Sequence, residues 1–378
     1  MPTLTDTPAL DRYMALAGIY DASPAHDEAF VAALREALEW HLSHNGPYAE
    51  LCRAQGFSPE DLKTIADVPK VPHVFVNVFK RYELLSIERE QIALNLTSSG
   101  TTGQKSQIFF DAASLARGLG MVDLAHEAMG LVRNDLQTNY LIFAYDPNEA
   151  KNVGTAYTDS NITKYSSKKR SYHALRWDEA TQAFTFREAE TLAMLKSYAD
   201  EGAPVRILGF PAFLHRIVSR MREENLPKFD FGPDSYVLTG GGWKKSENER
   251  IEPEAFVAEV EEYLGIPAGN VRDGYGMVEH GVPYLQCENH RFHVPTFARA
   301  YVRDVGTLEV LPYGETGFLN LVTPYNLAMP AMSLLTSDLA TLHADCPCGR
   351  AMPTVTIIGR AGTRKNKGCA ISASQLLK

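Results

Sequence analysis

Apolar residues near the start of the chain recur at helical spacing. After Asp27, a residue able to cap a helix, Phe30, Val31, Leu34, Leu38, His41 and Leu42 share one face. Gly46-Pro47 ends that run, and shorter helical patterns cover 48–54 and 59–66. Pro69 and Pro72 break the pattern, and Pro72-His73-Val74-Phe75-Val76-Asn77-Val78-Phe79 alternates loosely toward the core. From residue 91 the pattern becomes mixed. Leu94-Asn95-Leu96 reads as a strand end running into a Ser/Thr/Gly loop, placed after a strand and before a helix over 112–131. Apolar runs at 140–144, 205–208 and 235–238 predict buried strands, and 189–198, 211–221 and 253–264 predict the helices between them. Such alternation points to α/β packing with parallel strands. Past residue 290 short strands dominate, among them 307–311 and 318–322. The pattern divides the chain into a helical region over 1–90 packed on the main domain, a core over 91–360 and a short basic tail over 361–378.

Composition narrows the class. Hydrophobic residues make up 45% and charged residues 22%, the balance of a folded chain. Lys plus Arg number 37 and Asp plus Glu 46, a net charge of −9, which argues against nucleic acid as a general partner. No apolar run is long enough for a membrane span, and the first residues lack a basic-then-apolar leader pattern, so a cytoplasmic location is expected. The cysteines are Cys52, Cys287, Cys346, Cys348 and Cys369. An odd number in a long chain argues against a disulfide framework and for metal-binding or catalytic thiols, with Cys52, inside a predicted helix, read as packing.

The densest chemical signal is Thr97-Ser98-Ser99-Gly100-Thr101-Thr102-Gly103-Gln104-Lys105-Ser106. Glycines let backbone N–H groups approach an anion, hydroxyls add donors, and Lys105 adds a point charge. The spacing is not that of a P-loop, because Gln104 separates Gly103 from Lys105. The segment resembles the phosphate loop of the acyl-adenylate-forming enzymes, T-S-G-T-T-G-x-P-K, with an additional serine and no proline before Lys105. Spaced motifs extend the resemblance. Asp273-Gly274-Tyr275-Gly276-Met277-Val278-Glu279 is similar to the family's Tyr-Gly-x-x-Glu motif, which implies Tyr275 and Gly276 beside adenine and Glu279 on Mg²⁺. Gly240-Gly241-Gly242 matches its adenine-side glycine loop, Ser337-Asp338 its ribose-binding aspartate, and Gly359-Arg360 the end of its large domain. The resemblance implies an α/β adenylate-forming large N-terminal domain, with parallel-rich sheets and flanking helices, that binds ATP. The chemistry agrees: a carboxylate attacking the α-phosphate of ATP needs its charge neutralised and its groups held in line.

Cys346-Pro347-Cys348-Gly349 has the form of a metal knuckle, and upstream Cys287 is followed by His290 and His293. Three thiols and one imidazole suit a closed, structural Zn²⁺ site without catalytic use. The set Cys287, His293, Cys346 and Cys348 resembles the zinc site of phenylacetate–CoA ligases, with His290 the weaker ligand candidate.

Adenylate formers continue past Gly-Arg into a C-terminal domain, whereas 18 residues follow Arg360 here, so that domain is expected to be truncated to a short tail. The tail carries Cys369 close to Arg364, Lys365 and Lys367, and nearby cations raise a thiolate fraction. Together with Val71-Pro72-His73-Val74-Phe75-Val76-Asn77-Val78-Phe79-Lys80, these features resemble the acyl-protein synthetase family of the bacterial luminescence fatty-acid reductase complex. That resemblance implies activation of a carboxylic acid of the fatty class, acyl transfer to Cys369 and delivery to a reductase-type partner, with Lys105 and Glu279 assisting the adenylation. An AMP-forming acid–CoA ligase and a non-catalytic subunit of the same fold are the alternatives. Phe210, His215 and Trp243 are candidates for the acyl pocket, near the helix that opens at Gly209 and the loop 240–243.

Overall fold

Helix α1 (Pro8–Met14) precedes the first long helix, α2 (Pro24–His44), which starts where Ser23 and Pro24 stand together. Ser23 Oγ accepts from the His26 amide and Pro24 occupies the first turn, where a missing N–H costs nothing. Asp27, expected as the cap, lies inside the helix and pairs with Arg299 at 2.6 Å, because Ser23 already satisfies the end. The computed structural model describes residues 7–97, 106–145 and 163–361. It forms two units. The first comprises Met1–Ala128, Met277–Tyr284 and Arg291–Lys378, and the second Met129–Gly276 and Leu285–His290.

In the first unit α2 buries Phe30, Leu34, Leu38, Trp40 and His41, and Trp40 Nε1 donates to the Leu327 carbonyl at 2.9 Å. Helix α3 (Gly46–Ala54) follows, with the Asn45 side chain accepting from the Tyr48 amide at 3.0 Å. The helix expected at 59–66 is absent. Two 3₁₀ turns stand there, Pro59–Asp61 and Ile65–Lys70. Asp61 and Asp67 each reach back to a backbone amide three residues earlier, on Ser58 and Thr64, at 2.9 Å. Those local bonds compete with helical ones, and Pro69 has no N–H to extend a helix. Strand β1 (Val74–Phe75) is followed by a hairpin, β2 (Leu94–Thr97) with β3 (Gln107–Phe110), and by α4 (Ala112–Ala128). Thr97 pairs with Gln107, and β3 stands between the Ser/Thr/Gly segment and α4, where the sequence pattern placed a helix directly.

The second unit holds a mostly parallel sheet. Strands β4 (Arg133–Tyr145), β5 (Ser166–Asp178), β6 (Ala183–Phe186), β7 (Val205–Gly209), β8 (Tyr236–Gly240), β9 (Val271–Tyr275) and β10 (Tyr284–Leu285) align in the order β10-β9-β8-β7-β4-β5-β6. The β4–β5, β4–β7, β7–β8 and β8–β9 pairs are parallel. Parallel strands covered on both faces read as continuous apolar runs, which is why 140–144, 205–208 and 235–238 were legible. Helices α5 (Glu188–Glu201), α6 (Pro211–Glu223) and α7 (Pro253–Leu264) bury Leu195, Leu214, Ile217, Val260 and Leu264 in one cluster with Leu141, Ile207 and Val237.

The chain then returns to the first unit. Strands β11 (Phe292–His293), β12 (Arg299–Arg303), β13 (Thr316–Val322), β14 (Ser333–His343) and β15 (Thr354–Arg360) form an antiparallel sheet in the order β11-β15-β14-β13-β12, and β1 joins β14 in parallel. The strand expected at 307–311 is a turn. Asp304 Oδ1 accepts from the Gly306 and Thr307 amides at 2.8 Å, Leu308 takes φ +64°, and Val310 alone bridges back, to Arg303. The aspartate's own turn bonds outweigh the apolar pattern.

Two imidazoles lie deep in this unit. Burial pulls His41 down to about 3, and burial does the same to His280. An unfolded histidine titrates near ~6.5, so below that pH the unfolded chain binds protons that the folded chain refuses. Their stabilising contribution is full above about pH 6.5 and declines as pH falls toward about 3. From about pH 6 to about pH 5, urea melts should show unfolding free energy dropping by roughly 2–3 kcal/mol, near ~1.4 kcal/mol per pH unit for each group. A flat profile over that interval would contradict neutral buried imidazoles.

Candidate active site

In the second unit the chemistry gathers at the carboxyl ends of β8 and β9. These strands run in parallel with Thr239 opposite Asp273 and Gly240 opposite Gly274. Beyond β8, Gly241 and Gly242 take φ +76° and +70°, values that glycine alone adopts freely, and both are exposed. A loop turned this way keeps its amide edge free of Cβ atoms, as close approach by a flat ring or a phosphate requires. Thr239 Oγ1 donates to Asp273 Oδ1 at 2.8 Å, and the Gly274 amide donates to the same oxygen at 3.0 Å. Burial pushes the Asp273 carboxyl up, against these two donors and Arg250. Gln286 clamps Asp273 through both backbone groups, accepting at 2.8 Å and donating at 3.0 Å. The residues after this clamp are Tyr275, half-buried, and Gly276, exposed. Sequence reasoning singled out neither Thr239 nor Gln286. The available signal for Thr239 was its place directly before the glycine run.

The candidate pocket residues Phe210 and Trp243 are buried at 5% and 9% exposure. His215 holds Glu259 at 2.7 Å and meets the Trp243 ring edge-on at 5.5 Å. Trp243 also packs against Phe256, so this group fixes helices α6 and α7.

In the first unit Glu279 sits in a turn that follows the Tyr-Gly pair. Met277 O accepts from the His280 and Gly281 amides, and His280 Nε2 lies 2.8 Å from Tyr284 Oη. Gly281 takes φ +72°, and a Cβ there would meet Tyr325 Oη at 1.8 Å, so only glycine allows the turn to seat. The Glu279 side chain is 6% exposed, and among the described residues no hydrogen bond or ion pair engages it. Its oxygens are not among the sealed, unpartnered polar atoms, so the carboxylate keeps a small opening through which a cation could reach it. Asp338 and Arg360 face each other across β14 and β15, with Arg360 Nε donating to Asp338 Oδ1 at 3.0 Å. Two motifs picked out separately in sequence thus meet in space. Asp338 is 7% exposed whereas the Arg360 side chain is 62% exposed, so the arginine holds the carboxylate from the solvent side.

Cys287, His293, Cys346 and Cys348 present ligand atoms that all lie within 4.8 Å of one another. His293 Nε2 is 3.2 Å from Cys348 Sγ. Gly349, at φ +82°, returns its amide to Cys346 O and shapes the knuckle. His290 is not part of the group. Cys52 is buried in α3, where burial pushes its thiol up to about 11, as a packing residue requires. Ser98, Ser99, Gly100, Thr101, Thr102, Gly103, Lys105 and Cys369 lie outside the described residues, and Thr97 is described by its backbone alone.

The acyl-protein synthetase, LuxE, family profile matches residues 17–378. The long-chain-fatty-acid–luciferin-component ligase of Vibrio harveyi is 28% identical over 348 residues, covering 90% of this chain and 86% of that protein. The ligase of the same description from Aliivibrio fischeri is 28% identical over 347 residues, covering 91% and 88%. Among solved structures, a 2-hydroxyisobutyryl-CoA ligase in an open conformation with 2-HIB-AMP and CoA matches with a TM-score of 0.68 at 17% identity, over 91% of this chain and 72% of that one. That likeness is one of fold. With a profile match over nearly its whole length, the chain belongs to the acyl-protein synthetase (LuxE) family and is an enzyme of that ligase class.

Proposed function

We propose that this enzyme activates a long-chain aliphatic carboxylic acid with ATP, takes the acyl group onto Cys369 and delivers it to a reductase-type protein partner. The observation that carries the reading is Glu279, 6% exposed and without a hydrogen bond or ion pair among the described residues, three positions after the Tyr275-Gly276 pair. The relatives' description as long-chain-fatty-acid ligases supports the substrate class.

In this reading the carboxylate oxygen of the acid attacks the α-phosphorus of ATP. A new P–O bond forms, the bond to the β-phosphate oxygen breaks, and pyrophosphate leaves. The Thr97–Lys105 loop neutralises the phosphates. Gly240, Gly241, Gly242, Tyr275 and Gly276 hold adenine, and Asp338, steadied by Arg360, holds the ribose hydroxyls. Magnesium, held by Glu279, would supply charge neutralisation at the phosphate oxygens. The Cys369 thiolate then attacks the acyl carbon, a C–S bond forms, and AMP leaves with the electrons of the broken C–O bond. Zinc on Cys287, His293, Cys346 and Cys348 would supply structure alone, since four protein ligands leave no open position. No helix among the described residues is long and apolar enough to cross a membrane, which suits work in the cytoplasm.

The test is the full chain with labelled tetradecanoate, ATP and Mg²⁺, with and without CoA. Label on the protein in a hydroxylamine-labile form, with pyrophosphate released, is the expected result. Label on CoA alone would reassign the acceptor, and absence of pyrophosphate with every acid tried would end the reading.

A further inference from the structure

Within the first unit, a half-open cavity of about 720 Å³ lies between α3 and the segment that follows β1. Its volume falls inside the ~300–1,000 Å³ range of small-molecule sites. Tyr48, Leu51, Phe75, Val78, Tyr82 and Leu308 are among its lining residues. Among the described residues, none of those assigned above to ATP lines it, and neither does any carboxylate. Phe75 and Tyr82 remain 47% and 63% exposed, with the lining His73 ring meeting Phe75 edge-on at 5.7 Å.

The walls are built, not incidental. Leu308 takes φ +64°, a left-handed conformation that a bulky side chain adopts only under constraint. Glycine would make this turn without strain, so the leucine is explained by the wall its side chain provides. Arg303, itself 7% exposed, supplies the constraint: Nη1 donates to Leu308 O and Nε to Asn320 Oδ1, both at 2.9 Å, and Nη2 donates to Pro69 O. One buried guanidinium thereby fixes the Leu308 end and the backbone leading into the Phe75 wall. At the other end, the Arg81 and Tyr82 amides both donate to Val78 O, which sets Arg81 between two lining residues. Among the described residues, no ion pair engages the side chains of Lys80 or Arg81.

We infer that this cavity is a binding site for a long-chain aliphatic carboxylic acid, separate from the point where a carboxylate meets ATP. The alkyl chain lies against Tyr48, Phe75, Val78 and Leu308, and the carboxylate stays in water beside Lys80 and Arg81. The choice of ligand rests on the proposed function. The apolar lining, the absence of a lining carboxylate among the described residues, and Lys80 and Arg81 in the turn between lining residues Val78 and Tyr82 match such a ligand, while Glu83, the next residue, is engaged by Arg89. Affinity should rise about fourfold per added methylene until the cavity is filled.

The test uses the full chain and hexadecanoic acid bearing a diazirine on its distal half. It is irradiated without ATP, and the adducts are mapped by peptide mass spectrometry. Adducts are expected on 47–55, on 73–84 and around Leu308. They should fall at least fivefold in Phe75→Ser/Tyr82→Ser and in Leu308→Gly. Exposure of the two aromatics, and the preference of φ +64° for glycine, keep both variants folded. Lys80→Glu/Arg81→Glu should weaken labelling by the acid and leave labelling by the matching diazirine alcohol unchanged. Adducts confined to other segments, or cavity adducts undiminished in these variants, would overturn the inference. Pyrophosphate release from the same acid with ATP and Mg²⁺ is measured in parallel. Release without cavity adducts refutes the site and leaves the proposed function standing. Cavity adducts without release from this or any other acid tried support the site and refute the proposed function.

Discussion

Cys369→Ser should reduce the hydroxylamine-labile acyl adduct by at least about tenfold, the equivalent of ~1.4 kcal/mol, while a first equivalent of pyrophosphate is still released. A serine hydroxyl is not ionised near neutral pH, whereas a thiol flanked by Arg364, Lys365 and Lys367 is expected to be substantially thiolate. Loss of the acceptor does not remove the groups proposed to act on ATP, so acyl adenylate should form once and stay bound. The other cysteines offer no substitute. Cys52 is buried with its thiol pushed up to about 11, and Cys287, Cys346 and Cys348 are gathered with His293. Intact-mass measurement after a single turnover, with pyrophosphate counted in the same sample, separates the two steps. An undiminished adduct in the variant would place the acyl group elsewhere. Loss of pyrophosphate together with the adduct would mean that Cys369 serves adenylation as well.

The parts legible in sequence were those governed by short-range pattern. Helix α7 matches its expectation at both ends, because Pro253 opens it and Gly265, at φ +62°, closes it. The buried parallel strands announced themselves as apolar runs. The failures share a cause, side-chain oxygens bonding to nearby amides. Asp61, Asp67 and Asp304 each turn the backbone where periodicity alone suggested a helix or a strand. At the site, motif spacing identified Asp338, Arg360 and the Cys/His group, and the fold brings each of these sets together. The burial and isolation of Glu279 could not be read from its motif. Two residues on, Gly281 seats against Tyr325, a contact across more than forty positions that no local pattern announces. The cavity was equally hidden, since Tyr48, Phe75 and Leu308 belong to three distant segments with no shared pattern.

Removing one ligand of the Cys/His group should have the largest effect on stability. Cys287 and His293 are fully buried, and Cys346 is 8% exposed. Three thiols and an imidazole packed this closely, two of them fully buried, form a donor set that suits a tetrahedral metal. With zinc, the three thiolate charges are offset to a net −1 and each ligand bonds the metal at ~2.0–2.3 Å. The metal then couples directly to folding, because the unfolded chain has no assembled site. Cys346→Ser should therefore lose its zinc and about 3–5 kcal/mol of stability, lowering the melting midpoint by roughly 4–6 °C. Cys52→Ser, also buried, leaves the metal in place and should cost less, since it removes a single packed thiol. Atomic emission on the purified chain should find one zinc per molecule in the wild type and in Cys52→Ser, and far less in Cys346→Ser. A wild-type chain free of zinc, with unchanged melting after chelation, would reduce the group to packed thiols. If zinc is structural, the fraction of Cys346→Ser that remains folded should still release pyrophosphate at the wild-type rate per folded molecule. A rate that falls with metal content while the chain stays folded would instead give the metal a part in the reaction.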